Sequence, residues 1–322
     1  MAFSLTAFIY KGVKILKVKR EEKSAKNKTL DKPLEECREY ADRCVCPKGD
    51  ITSSDMHNAV FCGDFFKIAP RLPENSFNLI IVDPPYNLRK DYDGEVFSVE
   101  KAEKYSEFTR KWLKEIVRVA KDDATVYVCC DWRTSVIAAP ILSEYLTVRN
   151  RITWQREKGR GAAGNWKNSM EDIWFCTVGK NYYFNLDAVK QRRIVKAPYK
   201  ADGVPKDWEE TDGGKFRMTC PSNFWDDITV PFWSMAENTA HPTQKPEKLI
   251  AKLILASSKP GDSVFDPFGG SGTTAVVCKK LGRQFTLTEK SELYCAWTQI
   301  RLDEADKSKR IQGLEGGVFV KR

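Results

Sequence analysis

The stretch Leu79-Ile80-Ile81-Val82-Asp83-Pro84-Pro85-Tyr86-Asn87 decides the fold. Its apolar half suits a central strand of a parallel sheet, which is buried on both faces. Pro84 and Pro85 stop that strand at once, because proline donates no ladder hydrogen bond and restricts the residue before it. Asp83 and Tyr86 are therefore expected on a stiff corner at the strand's C-terminal end, where open α/β sheets place their ligands. A carboxylate at 83, a fixed carbonyl at 84 and a ring at 86 can together grip a flat group that carries an NH2. Asn87 is expected to support the loop.

Working outward, helix and strand patterns alternate. Val60 to Asp64 reads as a short strand ending at an acid, and Thr125 to Cys130 as another strand. Between them Tyr105 to Ala120 has Phe108, Trp112, Ile116 and Val119 at helical spacing. Further on, the spacing predicts a helix over 248–257, a strand over 263–265, a helix over 273–281 and a strand over 285–287 that reaches Glu289. Such alternation predicts an α/β fold around a mostly parallel sheet.

The second constellation is Asp266-Pro267-Phe268-Gly269-Gly270-Ser271-Gly272-Thr273-Thr274, at a strand-to-helix turn. Glycines there let backbone approach a ligand closely, and a helix N-terminus offers free N–H groups. Glu289 follows 23 positions after Asp266, at the end of the next strand, where an acid can accept ribose hydroxyls. The turn is not the G-x-G-x-x-G of nicotinamide dehydrogenases, and it lacks the Gly-Lys-Ser/Thr ending of a phosphate loop. A nucleoside without phosphates fits better, and S-adenosylmethionine is one. His241-Pro242-Thr243-Gln244-Lys245-Pro246 precedes this half; Lys245 can meet a carboxylate, although a proline-punctuated helix entry explains the segment about as well.

Residues 150–238 read differently. Trp154, Trp166, Trp174, Tyr182, Trp208, Phe216, Phe224, Trp225 and Trp233 alternate with many Arg and Lys residues, and 159–164 is a glycine-rich, flexible stretch. Taken singly, most such aromatics are core. As a region, aromatics interleaved with cations suit phosphates and unstacked bases. The chain's net charge of +9, from 53 basic and 44 acidic residues, agrees with a polyanionic partner. No apolar run approaches the ~18 residues of a membrane helix. The ten cysteines lack framework spacing and read as free thiols of a reducing compartment. Cys37, Cys44, Cys46 and Cys62 contain no C-x-x-C pair, so no metal is expected.

Asp83-Pro84-Pro85-Tyr86-Asn87, then His241 to Pro246, then Asp266 to Thr274 resemble the DNA amino-methyltransferases, and the order of the motifs is similar to their β class. The resemblance covers about residues 58–315. It implies a Rossmann-like S-adenosylmethionine-dependent methyltransferase fold in permuted motif order, catalytic before cofactor, with a target-recognition insertion. The expected division is a basic, loosely ordered N-terminal arm over 1–57, a catalytic half over 58–149, a recognition region over 150–238 and a cofactor half over 239–322. By matching positions, Asp83, Pro84, Pro85 and Tyr86 are the expected catalytic residues. Asp266, Phe268, Gly269, Gly270, Ser271, Gly272, Thr273, Thr274 and Glu289 are expected to hold S-adenosylmethionine, with His241 and Lys245 on its methionine end and Asp64 and Phe65 near its adenine. Two positions depart from the family pattern: Gly270 stands where a larger residue is common, and Thr286-Leu287-Thr288-Glu289 replaces a more usual Gly-Ile-Glu.

The resemblance implies duplex DNA as partner, with the target base flipped out of the helix, and leaves a homodimer open. An intracellular location follows, nuclear in a eukaryote and at the nucleoid in a bacterium. An Asp at the first catalytic position leans to adenine N6. The whole chain is also similar to the catalytic region of bdelloid rotifer cytosine-N4 methyltransferases, which leans the other way. Cytosine N4 is the expected target on that likeness, with adenine N6 as the alternative; RNA, a protein amide or a catalytically dead DNA-binding module are more distant readings.

Overall fold

A computed structural model describes residues 5–10, 13–18, 24–47, 49–156, 164–195, 199–211 and 214–320. Its centre is an eight-stranded sheet built from β1 (Ala59–Cys62), β2 (Phe77–Val82), β3 (Ala120–Cys130), β4 (Thr147–Gln155), β5 (Met170–Thr177), β6 (Phe224–Trp225), β7 (Ser263–Asp266) and β8 (Gln284–Glu289). The strands lie in the order β6-β4-β5-β3-β2-β7-β8-β1. The run from β3 to β1 is parallel, whereas β5 joins β3 antiparallel and β4 joins β5 antiparallel.

Among the described residues, five long helices cover the sheet: α1 (Ala102–Val119), α2 (Trp132–Tyr145), α3 (Glu247–Ser257), α4 (Thr273–Leu281) and α5 (Glu292–Lys307). Because side chains alternate along a strand, β2 feeds two cores. Leu79 and Ile81 pack with Leu249, Leu253, Val276 and Leu302 of α3 to α5. Ile80 and Val82 pack with Trp112, Leu113 and Ile116 of α1 and with Ile141 and Leu142 of α2. Being buried from both sides is why Leu79–Val82 carries no polar residue. Asp131 caps α2 by accepting the Thr134 N–H, and Ser291 caps α5 by accepting that of Tyr294.

One pairing matters most for function. The middle of β2 lies beside β7, with Leu79 opposite Val264 and Ile80 opposite Phe265. Two motifs far apart in the chain thus end side by side, one strand running out at Asp83 and the other at Asp266.

The basic arm corrects one expectation. Residues 24–47 are packed, not loosely ordered. The Leu30 N–H donates to the Asn238 carbonyl at 2.9 Å, and the Ala240 N–H donates to the Leu30 carbonyl at 2.8 Å. The Trp297 indole donates to the Lys32 carbonyl at 2.8 Å, and Cys37 is buried against Tyr294 and Trp297. Apolar residues among the lysines cover α5, and charge content alone concealed them. Leu5–Tyr10 and Val13–Val18 form an antiparallel ribbon; residues 1–4, 11–12, 19–23 and 48 of the arm lie outside the described residues.

The expected boundary at 150 falls within β4. Past β5, Gln191–Ile194 pairs with Gly214–Thr219 on one side and with C-terminal Val318–Val320 on the other, in a second, five-stranded sheet. Asp227 anchors this region to α3, accepting from the buried Lys248 at 2.7 Å and lying 3.5 Å from the buried Lys252. No helix among the described residues is long and apolar enough to cross a membrane.

Candidate active site

A cavity of about 470 Å3 opens at the C-terminal ends of β1, β2 and β8 and beside the turn after β7, within the range of small-molecule sites. Of the residues expected from sequence, Asp64, Phe65, Asp83, Pro84, Pro85, Tyr86, His241, Lys245, Phe268, Gly270, Ser271, Thr273 and Glu289 line it. Asp266, Gly269, Gly272 and Thr274 stand behind the lining and shape it.

Asp266 builds the turn. Its buried carboxylate accepts the Phe268 N–H at 3.1 Å and the Thr274 hydroxyl at 2.5 Å. Burial pushes its carboxyl up to about 7 against those hydrogen bonds. Gly270 has φ +51, and a Cβ there would lie 2.9 Å from His241 Nε2. A larger residue would therefore meet the imidazole, which accounts for the glycine at this position. The Gly270 N–H donates to Glu289 at 2.8 Å, and the Ser291 N–H donates to the other Glu289 oxygen, also at 2.8 Å. Burial likewise lifts the Glu289 carboxyl to about 7. The two threonines of the second departure are satisfied inside the core: Thr286 donates to the Met56 carbonyl at 2.7 Å and Thr288 to that of Pro267 at 2.5 Å. Hydroxyls in β8 cost little when a carbonyl faces each of them.

Asp64 caps a short turn, Phe65–Ile68, by accepting the Phe66 N–H at 2.9 Å. Phe65 packs against Phe268 with ring centroids 5.2 Å apart, giving the cavity an apolar wall. His241 is a neutral imidazole, its pKa pushed down to about 3 by burial and then by Lys245 and Arg301. Its Nδ1 accepts the Thr243 N–H at 3.4 Å, which leaves Nε2 as a donor.

At the opposite end lies the Asp83 corner. Tyr86 Oη donates to Asp83 Oδ1 at 2.9 Å, and Lys245 Nζ donates to Asp83 Oδ2 at 2.6 Å and to Tyr86 Oη at 3.1 Å. Glu171 of β5 completes the group, 3.4 Å from Lys245 Nζ and in close contact with Arg156. Two cations and two carboxylates make this cluster neutral, as a buried set must be. Burial pulls the Lys245 pKa down, but Asp83 and Glu171 outweigh it and hold the ammonium above the ordinary lysine range. Lys245 therefore sits on the Asp83 carboxylate, the partner type expected for it, and lines the same cavity as His241. Tyr105 takes the Pro85 carbonyl at 2.9 Å, while among the described residues no donor reaches that of Pro84. Asn87 supports the loop as expected, its side chain bridging the Glu100 backbone at 2.9 and 2.7 Å.

Sequence reasoning missed Glu171 and the hairpin Lys90–Tyr92/Glu95–Phe97 that roofs the cavity. The acid pair Glu171-Asp172 leading into the apolar run Ile173-Trp174-Phe175 was the signal for Glu171. For the hairpin it was Asp93-Gly94, both at positive φ. The hairpin is held down by Lys290–Glu95 at 2.6 Å and by the Ser291 hydroxyl on Asp93 at 2.7 Å.

The DNA methylase family, N6_N4_Mtase, matches residues 77–300. The chain belongs to this family. It is 35% identical over 251 residues to the type II methyltransferase M.HpaI of Haemophilus parainfluenzae, covering 77% of this chain and 75% of that one. It is 32% identical over 246 residues to the DNA adenine methyltransferase YhdJ of Escherichia coli, covering 76% of this chain and 82% of that one. Its fold is similar to that of the PvuII cytosine-N4-specific DNA methyltransferase, with TM-score 0.57, 16% identity and coverage of 77% and 90% of the two chains. It is also similar to a putative DNA modification methylase of Thermus thermophilus complexed with S-adenosyl-L-methionine, with TM-score 0.51, 18% identity and coverage of 76% and 95%.

This DNA methylase is thus a Rossmann-like enzyme of the N4-cytosine/N6-adenine class, and S-adenosylmethionine is its methyl donor. The cavity fits that donor on its own features: a carboxylate with backbone-fixed oxygens at one end, an apolar aromatic wall, and a turn stripped of Cβ atoms where the imidazole approaches.

Proposed function

We propose that this enzyme methylates the exocyclic amino nitrogen of a base flipped out of duplex DNA, and that the base is adenine. The carrying observation is that Asp83, Pro84 and Tyr86 share one cavity with Asp64, Phe268 and Glu289. An amine gripped at the first set is brought to a nucleoside donor held at the second. Adenine N6 moves ahead of the expected cytosine N4 because Asp stands at the first catalytic position and a 32%-identical relative is a DNA adenine methyltransferase. Cytosine N4 remains the alternative.

An exocyclic amine is a poor nucleophile, since its lone pair is delocalised into the ring. Hydrogen bonds from NH2 to Asp83 and to the Pro84 carbonyl favour a pyramidal nitrogen with a more available pair. Tyr86 stacks on the base, and positioning supplies much of the rate. The donor supplies an electrophilic methyl group: the N–C bond forms as the S–C bond breaks, leaving a thioether. The nitrogen then gives up a proton, which Asp83 accepts. Glu289 takes the ribose hydroxyls, Asp64 and Phe65 flank the adenine of the cofactor, and His241 faces its methionine end.

The recognition role falls to 150–238. Trp154, Trp208 and Trp225 of that region are core, whereas Trp166, Tyr199, Phe224 and Trp233 are exposed. Arg192 lies over Phe216 at 4.0 Å and Arg149 over Tyr182 at 4.8 Å, so cations and rings share this surface. The glycine-rich stretch 159–164 lies, apart from Gly164, outside the described residues. Labelled donor offered with duplex DNA, single-stranded RNA and a protein mixture is expected to label the duplex; label in RNA or protein alone contradicts this reading.

The pH dependence follows from Glu289. A carboxyl raised to about 7 in the fold contributes stability that is present below the ordinary carboxylate range and lost as pH rises through about 7. Ribose hydroxyls donate to the ionised form, so donor binding has the opposite slope. Affinity for S-adenosylmethionine measured by calorimetry should rise roughly 10-fold from about pH 6 to about pH 8. Over the same window the melting temperature of the free protein should fall. Glu289→Gln should bind weakly with a flatter profile, Asp266 still titrating at about 7 behind the turn.

A further inference from the structure

Lys245 poses a problem that the proposed reaction must solve. Its ammonium donates to Asp83 Oδ2 at 2.6 Å, on the carboxylate to which an incoming amino group is to donate. Both are N–H donors, and although a carboxylate oxygen can accept two bonds, an ammonium drawing on Asp83 weakens it as an acceptor for the amine. Asp83 Oδ1 is already engaged by Tyr86 at 2.9 Å. The Lys245 side chain is 6% exposed and cannot retreat to water, and an uncompensated buried ammonium is strongly unfavourable.

Another carboxylate lies within reach. Glu171 Oε2 is 3.4 Å from Lys245 Nζ, just beyond a strong charge-assisted bond. A shift of well under the length of one side-chain bond closes that gap. Glu171 is itself 5% exposed and contacts Arg156, which fixes it in place whichever way Lys245 leans. It also accepts from Tyr86 Oη at 3.3 Å, so the phenol has a second acceptor on the same side.

We propose that Glu171 is a positioning residue for methyl transfer: it receives the Lys245 ammonium, and with it the Tyr86 hydroxyl, when the amino group of the base takes Asp83. Resting on the proposed function, this assigns the recognition region's strand β5 a part in the chemistry. Before the base arrives, Lys245 fills the amine's place and keeps the corner neutral. Afterwards Glu171 holds the displaced charge without opening the site to water.

The test is single-turnover methyl transfer at saturating duplex DNA and donor, with donor affinity measured separately. Glu171→Gln keeps the shape but removes the charge, and should slow transfer on the order of 10-fold to 100-fold while changing donor affinity less than about 3-fold. In a Lys245→Met background the same substitution should cost less than about 2-fold, because Glu171 acts through Lys245. Glu171→Asp and Glu171→Asn shorten the side chain equally, so if Glu171→Gln does not fold, faster transfer by the Asp variant than by the Asn variant supports the same role. Wild-type rates in Glu171→Gln, equal rates for the Asp and Asn variants, or an undiminished effect in the Lys245→Met background overturn the inference. A wild-type enzyme that labels no DNA overturns the proposed function itself; an active wild type with an indifferent Glu171 overturns this inference alone.

Discussion

Replacing Asp83 by alanine should lower the single-turnover rate of methyl transfer to DNA by about 1000-fold or more, with donor affinity kept within about 3-fold. The split between the two follows from where Asp83 stands. It lies at the end of β2, hydrogen-bonded to Tyr86 and Lys245, whereas the turn after β7 and Glu289 hold the other end of the cavity through their own hydrogen bonds. Removing the carboxylate takes away both the acceptor that makes the amine nucleophilic and the base that takes its proton. Because Lys245 and Arg156 are then left facing Glu171 alone, stability should also fall, by about 3 kcal/mol, and the rates are compared on folded protein. Asp83→Asn retains one acceptor oxygen without the charge and should fall between the two. An Asp83→Ala variant with wild-type transfer would leave the corner without a catalytic role.

The second large effect is expected at Gly269. A Cβ built there meets three carbons of the Leu287 side chain at 2.2, 2.3 and 2.5 Å. The glycine is needed for close approach between the turn after β7 and β8, not for an unusual backbone angle. Gly269→Ala should destabilise the protein by about 1–3 kcal/mol through overpacking. It should weaken donor binding by about 10-fold, since Phe268 and Gly270 flank the displaced atom and line the cavity. Leu287→Ala alone should cost about 2–5 kcal/mol through its cavity. The double variant should be more stable than the sum of the singles by about 1–3 kcal/mol, because the new methyl enters the vacated space. Strict additivity in denaturant unfolding would mean that the turn accommodates a methyl elsewhere.

Much of this was legible from residue order. Leu79 to Val82 spelled a strand buried on both faces, and the helix at 273–281 and the strand reaching Glu289 stand where spacing put them. Local pattern succeeds there because each element is buried along most of its length, so polarity and position agree. It failed where charge and burial diverge. The 24–47 segment is rich in lysine and acid, yet its few apolar residues cover α5, a contact that depends on chain far away. Glu171 escaped notice for the opposite reason, an acid in the pair Glu171-Asp172 whose burial comes from partners, Lys245 and Arg156, that lie on other elements. Lys245 shows the same limit: its motif was visible, but its contact with Asp83, 162 positions away, is made by three-dimensional distance. Gly270 and Thr286 to Glu289, which departed from the family pattern, are each explained by contacts across the fold, an imidazole in the first case and two backbone carbonyls in the second.

The most direct test is nucleoside mass spectrometry of duplex DNA after incubation with the purified enzyme and trideuteromethyl S-adenosylmethionine. The account predicts the label on an exocyclic amine, as N6-methyladenine, and its disappearance with Asp83→Ala. Label on a ring carbon such as cytosine C5, or no label in DNA while RNA or protein is modified, would contradict it.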